Sequence, residues 1–230
     1  MRLFSVFIFL LSGFFNNVLA QEQNIKDIDS LYKEDQFYAG TTYNVLGKQP
    51  TDVSQSGFSL GFHLGYIKDI PINKRRNIAL GLGLGYSANS FNQNIRINKV
   101  NDVVTYTLLE DSDSYSKNKF SSHLIEVPFE FRWRTSTPTE YSFWRIYTGF
   151  KVGYMLTHSA KYKGDLGNIK FTDIEDFNDF QYGLTLNVGY NTWNLYLYYG
   201  LNPIFSEDAI MNDENLDMNA IKIGLMFYFL

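Results

Sequence analysis

Cysteine is absent from the 230 residues. That excludes disulfides, thiolate catalysis and cysteine-ligated metal sites. Beyond the first twenty residues no long unbroken apolar run remains, which excludes a helical membrane protein. A basic excess is missing too. Twenty Lys and Arg stand against 24 Asp and Glu, for a formal net charge of −4, so no footprint for nucleic acid is present. Aromatic side chains, by contrast, are abundant. Twenty Phe and 17 Tyr bring the aromatic share to 17%, above what a soluble domain of this length carries. A β-barrel in lipid needs such residues for its two interfacial girdles. The length suits one all-β domain.

The N-terminus reads as a secretory signal peptide over residues 1–20. Met1-Arg2 supplies the positive start, Leu3 to Phe15 is almost wholly apolar, and Val18-Leu19-Ala20 leaves small residues before a cut at Gln21. The apolar run of about 13 residues falls short of the ~20 that a spanning helix needs, which argues against an anchor. Gln21 stands where a lipoprotein has cysteine. Residues 21–35 then form a short polar arm, and 36–230 the folded domain.

Period-two alternation recurs along that domain. The first segment carries Phe37, Ala39, Thr41, Tyr43 and Val45 on one face. The second sets Phe58, Leu60, Phe62, Leu64 and Tyr66 against Ser59, Gly61, His63 and Gly65. The third sets Ile78 to Tyr86 against Ala79, Gly81, Gly83 and Gly85, and the fourth sets Ile125, Val127, Phe129, Phe131 and Trp133 against Glu126, Pro128, Glu130, Arg132 and Arg134. The fifth starts at Trp144, the sixth at Phe180 and the seventh at Trp193, and the chain's end forms the eighth. One face of each is large and apolar, while the other is too glycine-rich and charged for a dry core. A soluble sandwich would turn its apolar face inward. The expectation is an all-β fold: an eight-stranded antiparallel up-and-down transmembrane β-barrel.

Three connections are short (Lys68 to Arg76, Thr135 to Tyr141, Asn191-Thr192), and four are long, one running from Ala88 to about Lys119. Outer-membrane barrels have short periplasmic turns and long external loops, which predicts long loops outside and both termini in the periplasm.

An eight-stranded barrel is just wide enough for its own side chains. Gly81, Gly83 and Gly85 are expected to face Tyr196 and Tyr198 across the lumen. The run Gly81-Leu-Gly-Leu-Gly85 lacks the G-x-G-x-x-G spacing of a nucleotide loop. Glu126, Glu130, Arg132, Arg145 and Lys151 are expected to form a charge ladder inside the barrel, with Glu126 opposite Lys151 and Glu130 opposite Tyr147, diagonal to Arg145. The ladder satisfies itself and singles out no nucleophile. His63, His123 and His158 lie on different strands with no ligand partner at helical spacing. His158-Ser159 is a weak start to a rim triad. Asp111-Ser-Asp-Ser114 and Asn212-Asp-Glu-Asn215 lack the Gly and terminal Glu of a calcium loop. The expectation is no enzyme, no metal and no cofactor.

The last residues, Lys222-Ile-Gly-Leu-Met-Phe-Tyr-Phe-Leu230, place Lys222, Gly224, Phe227 and Phe229 at a spacing that resembles the C-terminal insertion signal of outer-membrane barrels, with Leu230 following the final aromatic. Two internal segments, Gly57-Phe-Ser-Leu-Gly-Phe-His-Leu-Gly-Tyr66 and His123-Leu-Ile-Glu-Val-Pro-Phe-Glu-Phe-Arg-Trp133, resemble the PorT-like outer-membrane barrel family of Bacteroidota. Asp29-Ser30-Leu31 looks like that phylum's O-glycosylation sequon, with Ser30 as acceptor. The resemblance implies location in the outer membrane of a Gram-negative bacterium and carries over no catalytic residue. One member of that family is required by the type IX secretion system. The expected role is therefore a non-enzymatic accessory or structural subunit of an outer-membrane machine, for type IX protein secretion or barrel assembly. Membrane lipid and other outer-membrane or periplasmic proteins are the expected partners. A small channel or hydrophobic-ligand-binding barrel, or a surface-loop adhesin, are the alternatives.

Overall fold

A computed structural model describes residues 33–229, apart from 102, 111–112, 138–142 and 173. The expected signal peptide and its expected cut at Gln21, Ser30, most of the 21–35 arm and Leu230 lie outside the described residues.

Alternating residues in lipid can face a core or hydrocarbon, but their backbone groups must all be paired within the protein. The chain meets that demand by closing a sheet. Eight strands form the wall: β1 (Gln36–Gly47), β2 (Leu60–Pro71), β3 (Ile78–Asn92), β6 (Tyr115–Arg134), β7 (Trp144–Gly164), β9 (Phe180–Tyr190), β10 (Trp193–Gly200) and β13 (Asn219–Phe229). Each pairs antiparallel with its neighbour in sequence, and β1 pairs with β13 from Phe37↔Phe229 to Gly47↔Asn219. The chain is a closed eight-stranded up-and-down barrel. Five shorter strands decorate the long connections: hairpin β4 (Ile95–Val100) with β5 (Val103–Leu108), β8 (Gly167–Thr172) against β7, and the small hairpin β11 (Ile210–Met211) with β12 (Glu214–Asn215).

Burial follows the alternation. Leu64, Leu82, Phe129, Leu184, Leu195 and Ile223 point outward, while Asn44, His63, Glu126, Lys151, Tyr196 and Lys222 point inward. Pro128 occupies an inward position in mid-strand, where it has no N–H to donate. The β3–β6 register accordingly runs through Leu82↔Phe129 and resumes only at Gly85↔Glu126.

At one end the turns are short. Asn191-Thr192 joins β9 to β10, with Asn191 at φ 54°, the left-handed region that a two-residue hairpin requires and asparagine tolerates. β2 runs on to Pro71, past the expected end near Tyr66, and this brings Asp69 into the lumen.

The connections at the other end are not loose. β6 and β7 are 20 and 21 residues long, whereas a tilted strand crosses a bilayer in about 9–11 residues. The stretch expected as a loop from Ala88 to Lys119 instead holds the end of β3, the β4–β5 hairpin and the start of β6. A bulge changes the phase of β7. Its pairing with β6 runs Ser122↔His158, His123↔Thr157, then Leu124↔Met155, leaving Leu156 as the extra residue. Below the bulge even-numbered residues of β7 face out; above it Ala160 and Tyr162 are buried, so Ser159, Lys161 and Lys163 face out.

Leu82 and Leu184 lie mid-strand on the outward face. Replacing either with Arg costs about 2–4 kcal/mol at the bilayer midplane. Guanidinium unfolding in lipid and heat-dependent migration in SDS check this, and Leu82→Phe leaves both unchanged.

Candidate functional site

The inward face carries four buried carboxylates, Glu34, Asp69, Glu126 and Glu130, and five buried cations, Arg132, Arg134, Arg145, Lys151 and Lys222. Such charges are tolerated away from water only when paired and hydrogen-bonded. Eight of the nine sort into two clusters, and Arg145 lies apart from both.

The first closes the short-turn end around Asp69. Arg134 grips that carboxylate with both terminal nitrogens, Nη1 to Oδ1 and Nη2 to Oδ2, each at 2.8 Å. Arg132 Nη1 donates to Oδ1 at 3.1 Å, and its Nε donates to Glu130 Oε2 at 3.1 Å. Arg132 also reaches Gln36 Oε1 at 3.1 Å and lies 4.5 Å over the Tyr147 ring. Strands β1, β2, β6 and β7 are thereby tied across the lumen. The second cluster sits higher. Glu126 accepts from Lys151 Nζ at 3.0 Å and from Ser87 Oγ at 2.8 Å, with His63 at 3.8 Å and Lys222 at 3.9 Å. Lys151 also donates to the Tyr196 hydroxyl at 3.0 Å.

Several sequence expectations change here. Glu126 stands opposite Gly153, and Glu130 opposite Gly149. The β6–β7 register is displaced by two residues because strand pairing stops at Arg134↔Arg145, which leaves a longer turn than expected. The Glu126–Lys151 contact survives on the diagonal, which the long lysine stem spans. Arg145 does not join Glu130; its guanidinium lies over Phe143 at 4.5 Å and Tyr228 at 5.6 Å. Gly81, Gly83 and Gly85 do not seat Tyr196 and Tyr198. Their nearest neighbours are Arg132, Ile67, Pro128 and Tyr38, so the large side chains lie along the wall over glycines of adjoining strands. Tyr198 lies over Gly183 in the same way. Lys222, singled out as part of the insertion pattern, is a lumen residue within reach of Glu126. Asp69, Glu34 and Arg134 complete the lower cluster. Only the inward phase of Arg134 was readable.

The long-connection end is closed by an apolar cap. Phe120, fully buried, packs against Phe91, Phe177 and Phe205 at ring distances of 4.9, 5.7 and 5.2 Å. Ile95 and Tyr106 of the β4–β5 hairpin, with Ile174 and Ile204, join this cluster. The Tyr106 hydroxyl donates to Asp176 at 2.8 Å; burial first, and then that carboxylate, raise its pKa. His158 accepts from the Ile174 N–H at 2.7 Å and stacks 4.5 Å from Phe177. Ser159 points to the other face. The rim-triad reading of His158-Ser159 is therefore displaced by a structural role. Asn212-Asp213, both at positive φ, make the tight tip of the β11–β12 hairpin. Among the described residues no group of His, Asp and Glu is arranged to hold a metal ion.

Between the closures, a cavity of about 20 Å³ lies among Phe91, Glu126, Lys151, Tyr198 and Lys222, room for about one water. Another, of about 10 Å³, lies beside Tyr38, Glu130 and Tyr228.

Fold and lumen together define a closed, internally plugged transmembrane β-barrel. The outer membrane protein beta-barrel domain family matches residues 19–206, and the chain belongs to that family. Its place is the outer membrane. No curated protein sequence matches the chain. Among solved structures, the attachment invasion locus protein Ail of Yersinia pestis is similar at 13% identity and a TM-score of 0.35, covering 86% of this chain and 99% of its own.

Asp69→Asn leaves Arg132 and Arg134 without their shared carboxylate. Breaking a buried pair from one side costs about 3–5 kcal/mol. Guanidinium unfolding of the detergent-folded barrel measures it. Lys68→Ala, one residue away on the outer face, stays within about 0.5 kcal/mol of the wild type.

Proposed function

We propose that this barrel is a non-catalytic accessory or structural subunit of an outer-membrane machine, with type IX protein secretion or barrel assembly as the candidate machines. The carrying observation is that the lumen is used up: two charge clusters fill it and an aromatic cap covers one end. The two cavities described on the inside admit single waters rather than a solute. What remains for function is the outer wall and the rims. The resemblance of the Gly57–Tyr66 and His123–Trp133 segments to PorT-like barrels supports the choice of machine.

The long connections face the outside and both chain ends the periplasm, in keeping with the loop asymmetry of such barrels. The Lys222, Gly224, Phe227 and Phe229 spacing serves as the insertion signal. It lies on the strand that must close the barrel, so recognition and closure would involve the same residues. The absence of cysteine makes orientation simple to test. With Glu207→Cys, in the β10–β13 connection, intact cells should react with an impermeant maleimide. With Lys74→Cys, in the β2–β3 turn, only broken cells should. The reverse pattern overturns the orientation.

For the role itself, purification from the native membrane in mild detergent should bring other envelope proteins along. Planar-bilayer recording of the pure protein should show no stable conductance. A bare monomer that conducts steadily, with secretion and barrel assembly intact in a deletion strain, overturns the proposal in favour of a channel.

A further inference from the structure

The outward face changes character abruptly above the apolar band. On β6 the band ends at Ile125, and on β7 at Leu156, where the bulge lies. Above it runs a row of hydroxyls across four neighbouring strands: Ser90↔Ser121 on β3 and β6, Ser121↔Ser159 on β6 and β7, Ser159↔Thr172 on β7 and β8. The next outward row is cationic, with Lys119↔Lys161 and Lys161↔Lys170 as direct partners. Above that, Lys117 pairs with Lys163. Five lysines thus leave one sheet face from adjacent strands about 4.8 Å apart.

Like charges placed directly opposite each other destabilise a sheet. None of these lysines has a carboxylate within ion-pair distance among the described residues. Lys119 lies outside the spanning segment and donates to Ser90 Oγ at 3.1 Å. Burial, and then the charges of Lys117 and Lys161, lower its pKa. On the β2 and β3 side of Lys119 the wall is recessed. An open groove of about 280 Å³ is floored by Ala88, Ser90 and Ser121, and walled by Phe58, Leu60 and Phe62 on one side, with His123 also lining it. Lys119 stands at its upper edge.

We propose that this face binds a phosphorylated glycolipid of the outer leaflet. The lysines of β6, β7 and β8 hold its phosphates, the Ser90–Thr172 hydroxyl row meets its sugar, and an acyl chain lies in the groove beside Phe58, Leu60 and Phe62. The assignment rests on the orientation proposed above, which puts this rim in the outer leaflet. The charge supports it: lysine rows with no carboxylate partner among the described residues fit an anion. So does the height, because the lysines begin just beyond the apolar band, where lipid phosphates lie. The bulge at Leu156 enables it, since without that extra residue Lys161 and Lys163 would point at the aromatic cap.

The folded protein, purified in dodecyl maltoside, is mixed with diphosphorylated lipid A and bound lipid is counted by native mass spectrometry. The expected result is retention of lipid A. At least tenfold weaker retention is expected for the dephosphorylated lipid and for the triple variant Lys119→Ser, Lys161→Ser, Lys170→Ser. The variant should unfold no more easily than the wild type in lipid-free detergent, because repulsion has been removed. The triple variant Lys33→Ser, Lys68→Ser, Lys74→Ser, with the same loss of charge at the other end, should bind as the wild type does. Equal binding of the dephosphorylated lipid, or undiminished binding by the first variant, overturns the site. Equal binding of phosphatidylglycerol overturns the choice of glycolipid, and displacement by inorganic phosphate at equal concentration overturns the role of the groove. Failure of the accessory role would show in the co-purification and conductance experiments and leave this titration untouched.

Discussion

A strand in hydrocarbon has no water toward which a free edge can turn, and the pairing of β1 with β13 removes that edge. The ring then contains eight strands, and the lumen is fixed at a width that side chains fill. Everything inward must fit that width. The inward glycines are the fitting pieces. Gly65 and Gly85 lie under the Tyr38 ring, Gly183 lies under Tyr198, and Gly81 leaves space for Arg132. Large side chains lie flat along the wall because their neighbours on the adjoining strands have no side chain at all.

The same width governs the charges. A lumen this narrow cannot hydrate four carboxylates and five cations, so each carboxylate is held against a cation, and Arg145 rests on the rings of Phe143 and Tyr228. Asp69 carries the largest share at the short-turn end, as the common acceptor of two arginines from β6. Glu126 does the same higher up, with Lys151 from β7 and Lys222 from β13 around it. Each cluster joins strands far apart in sequence, so the ion pairs specify which strands share the lumen as well as filling it.

How much of this could be read in advance depends on period. Alternation of two is a strong signal, and it placed the outward Leu82 and Phe129 and the inward Glu126 and Lys151 correctly. Register has no such signal. The displacement by two residues between β6 and β7 keeps every side chain on its face, so the pattern looks the same in either pairing. Asp69 is hard to read because the Lys68-Asp69 pair looks like a turn, although the alternation of Ile67, Asp69 and Pro71 with their neighbours continues. The upper half of β7 is hard to read for a related reason. The Leu156 bulge shifts the phase, so Ser159, Lys161 and Lys163 read as polar loop rather than as the outward face of a strand. Ala160 and Tyr162, buried between them, were the available clue.

This strand extension alters what the long connections can do. Phe91, Tyr106, Phe120, Phe177 and Phe205 are spent on the cap, so the segments that carry them are structural on their inner side. Selection for binding can therefore act only on their outer side and on the barrel wall below. The residues there are of two kinds. Hydrocarbon explains the aliphatic and aromatic ones. It does not explain lysines from three neighbouring strands directly opposite one another, an arrangement that costs stability in an isolated sheet. A compensating anion supplies the missing favourable interaction. At that height on the wall, the nearest plentiful anions belong to the lipid itself.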